Sequence, residues 1–152
     1  MSSKEFKVIY LTGSPATGKS TLVRNLAQKI SPLEVYTYSK ILADYVGRKR
    51  SSLFSEDDMR SLSSKVILPE DVAAVDLMLL DYVNQNRHRS HIIIDSHAVT
   101  KEEYGFRVTP FSIKLLSGIR PSMIFVLYAD PQVVRSRIKN NSQGSSLSIM
   151  NM

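Results

Sequence analysis

The chain has 152 residues, 43% of them hydrophobic, with 20 basic against 14 acidic side chains for a net charge of +6. That is enough for one domain with its own core, and the absence of cysteine excludes a disulfide framework, a thiolate metal site and a catalytic thiol. No apolar run approaches membrane-spanning length, and the basic residues form no long tract with interleaved aromatics, so the charge suits polyphosphate substrates and nucleic acid is not the partner expected.

The opening residues lead almost at once into Lys7-Val8-Ile9-Tyr10-Leu11-Thr12, a β-branched apolar run that predicts a strand. A strand so close to the start leaves no room for a leader, and a cytoplasmic protein is expected. Directly after it stands Gly13-Ser14-Pro15-Ala16-Thr17-Gly18-Lys19-Ser20, which fits G-x-x-x-x-G-K-S between a predicted strand and a predicted helix. In that context the pattern is a P-loop. Its glycines let the backbone turn tightly and press N–H groups against phosphate oxygens, while the following helix aims its positive end at the same anion. Lys19 would then reach the β- and γ-phosphates of a nucleoside triphosphate, and the Ser20 hydroxyl would ligate Mg2+. The expected triphosphate-binding segment runs from Gly13 to Thr21.

Leu22, Val23, Leu26, Ala27 and Ile30 then recur at helical spacing, with Arg24, Asn25 and Lys29 outside, until Ser31-Pro32 stops the helix. Leu33, Val35 and Thr37 alternate with Glu34, Tyr36 and Tyr38, which predicts a second strand. Ser39 reads as the N-cap of a short helix through Ile41, Leu42, Tyr45 and Val46, closed by Gly47. Arg48-Lys49-Arg50 and, later, Arg87-His88-Arg89 read as short solvated loops. Ser55-Glu56-Asp57-Asp58 has the capping-box form and starts another short helix carrying Met59, Arg60 and Leu62.

Pro69-Glu70-Asp71 opens a stronger helix with Val72, Val75, Leu79 and Val83 on one face. His91-Ile92-Ile93-Ile94-Asp95 is a buried third strand by its unbroken apolar run. Thr109-Pro110 begins a helix through Leu116, ended by Gly118 and Pro121; Met123 to Ala129 is the fourth strand. Asp130-Pro131 caps a last helix with Val133, Val134, Arg135 and Arg137. From 140 to 152 the chain is uncharged and serine-rich and reads as a disordered tail. Strands alternating with helices predict an α/β layered domain with a parallel sheet.

Asp95 falls at the C-terminal end of its strand, where open parallel sheets place their ligands. With a P-loop in the same chain, an aspartate there is expected to hold Mg2+ through a water, completing what Ser20 begins. His97 either orients substrate or hydrogen-bonds backbone in the turn. Arg107, Arg135 and Arg137 follow strand ends on the ligand side and are the candidate phosphate clamps, because a guanidinium fork matches phosphate oxygens.

Gly13 to Thr21, Tyr38 to Val46, Asp58-Met59-Arg60, Asp95-Ser96-His97, Arg120 to Val126 and Asp130 to Ile138 together resemble the nucleoside monophosphate kinases. The resemblance is closest to the archaeal-type adenylate kinases and their bacterial P-loop relatives. It implies a P-loop NTPase three-layer fold with a parallel sheet ordered 2-3-1-4-5, and transfer of the γ-phosphoryl of ATP to a nucleoside monophosphate over Mg2+. It assigns residues 1–139 to the kinase-like domain and 41–65 to an acceptor-binding insert, with Ser39, Arg60 and His97 on the substrate side. Lys19, Asp95, Arg107, Arg135 and Arg137 would carry catalysis, and Arg137 would also lie against the adenine. Where the family continues into an arginine-bearing lid and a fifth strand, this sequence has residues 140–152. The expectation is therefore order 2-3-1-4 with the fifth strand missing or replaced by the tail, activity impaired by the missing lid, and an open edge through which a homo-oligomer would form. A small-molecule kinase of the same fold and a catalytically weak ATP-binding module are the alternatives.

Overall fold

The computed structural model describes residues 6–49, 67–97, 99–102, 105–108 and 112–140. In chain order these form β1 (Val8–Gly13), α1 (Lys19–Ala27), β2 (Leu33–Thr37), α2 (Tyr38–Lys49), α3 (Pro69–Asn86), β3 (His91–Asp95), β4 (Val99–Glu102), β5 (Gly105–Val108), α4 (Ile113–Ile119), β6 (Met123–Leu127) and α5 (Pro131–Asn140). The β-branched and aromatic runs pair into one parallel sheet of order β2-β3-β1-β6, the expected 2-3-1-4 arrangement. β1 connects towards β2 on one side and β3 connects towards β6 on the other. A crevice opens where neighbouring strands send their connections in opposite directions, so the ligand end lies between β1 and β3.

Cross-strand register explains the core. Tyr36, Ile94, Tyr10 and Ile124 form one row across the sheet, and Val35, Ile93, Ile9 and Met123 form the next, on the opposite face. The first face is covered by α2, α3 and α4, and its buried cluster includes Tyr10, Tyr36, Tyr38, Leu42, Val75, Leu79, Val83 and Ile119. Of the two alternating sets at β2, the one that holds Tyr36 and Tyr38 is the covered one: both tyrosines are buried and Val35 is exposed. The broad aromatic rings are what the helical layer covers, whereas Val35 points to the other face of the same edge strand. Among the described residues β6 is the other edge, with Ile124, Phe125 and Val126 exposed.

Pro69 occupies the first turn of α3, where its missing N–H costs nothing. Asp71 Oδ2 accepts the Leu68 N–H at 2.9 Å, while Oδ1 accepts from Lys49 Nζ at 2.8 Å. This fully buried carboxylate ties the end of α2 to the start of α3. Arg48-Lys49 therefore belong to a helix end and an ion pair, not to a solvated loop, and α2 runs past Gly47. Arg87 is likewise structural: its guanidinium donates to the Ile119 carbonyl at 2.9 Å and to that of Arg120 at 3.3 Å, satisfying the end of α4. That helix is N-capped by Ser112 and turns off through a left-handed Arg120. Gly118 sits inside it, where a Cβ would fall 2.5 Å from Leu80 of α3, so its smallness serves the approach of two helices.

Other boundaries also differ from expectation. α1 ends at Ala27, short of Ile30, and α2 starts at Tyr38, which puts Ser39 inside the first turn instead of at the cap. The stretch after Asp95 contains the antiparallel pair β4–β5, not an open loop. The last helix reaches Asn140, one residue into the stretch read as tail. The capping-box helix at Ser55, the start at Thr109-Pro110 and residues 141–152 lie outside the described residues. Among those described, no helix is long and apolar enough to cross a membrane.

Tyr38 Oη donates to Asp76 Oδ1 at 2.8 Å, and burial pushes the Asp76 carboxyl above the usual carboxylate range. A raised folded-state pKa favours the fold below the unfolded value, and that contribution is lost as pH rises through the folded value. Asp76→Asn keeps an acceptor for Tyr38 and removes the charge. It should therefore flatten the loss of stability seen from about pH 4 upward, checked by urea midpoints across pH. Leu79→Ala, at a fully buried position, should cost about 3 kcal/mol in the same measurement at neutral pH.

Candidate active site

β1 ends at Gly13, and the chain turns there because nothing larger fits: φ is 150°, and a Cβ would collide with the Leu127 carbonyl of β6. The loop then passes through two left-handed residues, Ala16 at φ 61° and Gly18 at φ 106°. Thr17 is buried and its Oγ1 donates to the Ser14 carbonyl at 2.8 Å, bracing the turn. Gly18 caps α1, accepting the Leu22 N–H at 3.0 Å, and no acidic side chain lies in the first turn of that helix. The positive end of the helix is thus left for an anion.

Lys19 is 5% exposed, and its Nζ donates to the Gly13 carbonyl at 2.9 Å and the Ser14 carbonyl at 3.2 Å. His97 Nδ1 is 3.0 Å from the same ammonium and 3.1 Å from the Gly13 carbonyl oxygen. Burial pushes the Lys19 pKa below its ordinary value, opposed by the nearby Asp95 charge. Burial likewise lowers the His97 pKa, with the Gly13 carbonyl opposing it. Of the two readings of His97, its contacts are with backbone and lysine, and the backbone belongs to the P-loop instead of its own turn.

Register sets Asp95 beside Leu11, two residues before Gly13. Its carboxyl is raised by burial and lowered by Lys19 and His97, and its Oδ1 is buried with no hydrogen-bond partner. A buried carboxylate oxygen without a partner is costly. With the Ser20 hydroxyl exposed one residue beyond Lys19, this oxygen suits a hard cation or one of its waters. No group of three or more His, Cys, Asp or Glu gathers among the described residues. One carboxylate and one hydroxyl supplemented by water and phosphate oxygens is the donor set magnesium takes.

The turn carrying Asp95 and His97 is pinned by the residue between them. Ser96 donates its N–H to the Leu11 carbonyl at 3.0 Å, and its side chain is hydrogen-bonded to the buried Tyr10 phenol. Neither Tyr10 nor Asp76 stood out in the sequence. Asp76 carried a legible signal, an acid four residues after Val72 within the apolar stripe of α3.

The arginines divide. Arg137 of α5 reaches the loop, with Nη1 donating to the Ala16 carbonyl at 3.1 Å. Arg135 is exposed two positions earlier, and residues two apart on a helix do not share a face. Arg107 is on β5, paired with Thr100, and Ser39 is exposed in the first turn of α2. Arg60 lies outside the described residues.

A family model described as an AAA domain matches residues 12–151. No curated protein matches the chain. Among solved structures, an unliganded sugar kinase from Janibacter sp. HTCC2649 is similar at 16% identity and a TM-score of 0.55, over 97% of this chain and 79% of that one. TT1252 from Thermus thermophilus is similar at 17% identity and a TM-score of 0.59, over 97% and 78%. At such identities the likeness establishes the fold alone, an α/β domain with a parallel sheet.

Gly13→Ala tests the local geometry. The strained φ alone should lower stability by about 1–3 kcal/mol, and the contact with the Leu127 carbonyl should add to it. Chemical denaturation reads both, and a neutral result would mean that the β1–β6 approach is looser than described.

Proposed function

This chain belongs to the AAA-domain family of P-loop proteins, and from that premise we propose that it transfers the γ-phosphoryl group of ATP to a small acceptor, with a nucleoside monophosphate as the first candidate. The observation that carries the reading is the meeting of Lys19 and His97 at the loop beside Asp95, whose buried oxygen lacks a partner. Phosphoryl transfer needs little covalent chemistry from the protein beyond positioning and charge. Magnesium, when bound, neutralises phosphate charge and orients the transferred group.

The residues do the rest. Loop N–H groups and the start of α1 hold the phosphates, and Lys19 exchanges its carbonyl partners for phosphate oxygens. Ser20 and Asp95 supply oxygen ligands or hold a ligand water. Arg137, already over the Ala16 carbonyl, is placed to stack on a base or approach the phosphates. The acceptor is assigned to the side of α2, where β2 ends, and the resemblance to nucleoside monophosphate kinases selects a monophosphate there. A sugar acceptor is the second reading, favoured by the similarity in fold to the Janibacter sugar kinase.

A coupled assay with ATP and each nucleoside monophosphate, then with a panel of sugars, separates the readings. AMP-dependent ADP formation supports the first, turnover with a sugar alone supports the second, and ATP binding without turnover on any acceptor sinks both in favour of a binding module. Lys19→Ala should lower kcat/KM by about a hundredfold or more. Asp95→Asn should weaken the dependence on magnesium concentration while leaving the fold intact by circular dichroism.

A further inference from the structure

His97 Nδ1 lies 3.0 Å from Lys19 Nζ and 3.1 Å from the Gly13 carbonyl oxygen, and the same ammonium donates to that carbonyl at 2.9 Å. An ammonium has only protons to give, and a carbonyl oxygen has only lone pairs. With Lys19 seated there, Nδ1 is the acceptor and the neutral ring carries its proton on Nε2. Two acceptors stand 3.1 Å apart because one ammonium lies against both. Under the phosphotransferase reading, on which this inference rests, Lys19 must leave for the phosphates. Its departure would leave the Gly13 oxygen facing an unprotonated nitrogen at hydrogen-bond distance.

We propose that His97 is a positioning residue of the phosphate loop, accepting from Lys19 through Nδ1 until a triphosphate draws the ammonium away, and then donating from Nδ1–H to the Gly13 carbonyl. Nε2 gives a proton to water and Nδ1 takes one from water, so the ring stays neutral and no net charge moves. His97 is only partly buried, which gives water access. The exchange holds the Gly13 carbonyl back from the anion at the residue where strand becomes loop. A carbonyl released there would be free to turn its negative oxygen towards the phosphates and spoil the array of N–H donors.

The tautomer is directly readable. In the full chain labelled with 15N-histidine, the ring nitrogen signals report which nitrogen is protonated, before and after saturation with Mg2+ and the imido analogue of ATP. His97→Asn identifies its signals among those of His88 and His91. His91 Nδ1 accepts the Lys7 N–H at 3.1 Å and is the internal reference. The expected result is a move of the His97 proton from Nε2 to Nδ1 on saturation, with His91 unchanged. Calorimetric binding with the His97 tautomer unchanged, or with both nitrogens protonated, overturns this proposal alone; no binding at all overturns the phosphotransferase reading with it.

A second arm uses affinity. An asparagine amide can present either its oxygen or its N–H2 by rotating, so it can serve both partners in turn. His97→Ala should weaken binding of the analogue about tenfold, the scale of one lost hydrogen bond, and His97→Asn should keep it within about threefold. Equal losses in the two variants, or no loss in either, overturn the proposal.

Discussion

The parallel register between β1 and β3 sets Leu11 beside Asp95, and the chemistry at the ligand end depends on it. Two residues beyond Leu11, Gly13 leaves the sheet; two residues beyond Asp95, His97 reaches the Gly13 carbonyl. A slip of one residue would turn the side chain of Asp95 to the opposite face and carry His97 away from Lys19. The register is held from behind by apolar residues, since Ile92 and Ile94 face the helical layer while Ile93 faces the other side, all essentially buried. Ser96 secures it locally with its bond to the Leu11 carbonyl. Core and site are thus coupled: the three consecutive isoleucines that fill both faces of the sheet also place the carboxylate.

Much of this was legible because the signals were local and strong. The loop from Gly13 to Ser20 needs particular residue types at fixed positions, and the apolar runs of β1, β3 and β6 have no helical alternative of comparable quality. What escaped the sequence depends on neighbours. Alternation in β2 says that two faces exist, but which one is buried depends on whether α2 and α3 lie over Tyr36 or over Val35. Gly118 looks like a helix stop until Leu80 is seen against it. Arg87 looks solvated until the end of α4 is found within its reach. The pair β4–β5 is short and has no strong turn dipeptide between its strands, so nothing in it outweighs the reading as a loop. For the site, the strand-end position of Asp95 was readable, whereas the division between Arg137 and Arg135 required the direction of α5.

Support is uneven around the site. On the β2 and β3 side, α2 and α3 are bound by a buried core, the Tyr38–Asp76 bond and the Lys49–Asp71 ion pair. On the β6 side the strand is an edge with exposed apolar side chains, and α5 buries none of its residues. Yet Arg137, the arginine that touches the P-loop, stands on α5. Elements with few buried apolar contacts open at lower free energy than the core. The guanidinium is therefore carried by a loosely packed helix, and the lysine is the first residue of α1, which buries none of its other residues, while the aspartate is carried by the buried strand β3.

Lys19 is held by its own hydrogen bonds and not by the packing of its helix. A buried ammonium is tolerated only when its protons are used, and here they are used on Gly13, Ser14 and His97. Any anion must compete with those bonds, so its binding free energy is the difference between phosphate and backbone as partners, not the full attraction of a charge pair. An anion lacking the geometry to take up the loop N–H groups at the same time gains too little to displace them. Under the proposed function, selectivity for a polyphosphate over a simple anion would follow from this competition, because only a ligand that meets the loop, the helix start and the lysine together offsets what the lysine gives up.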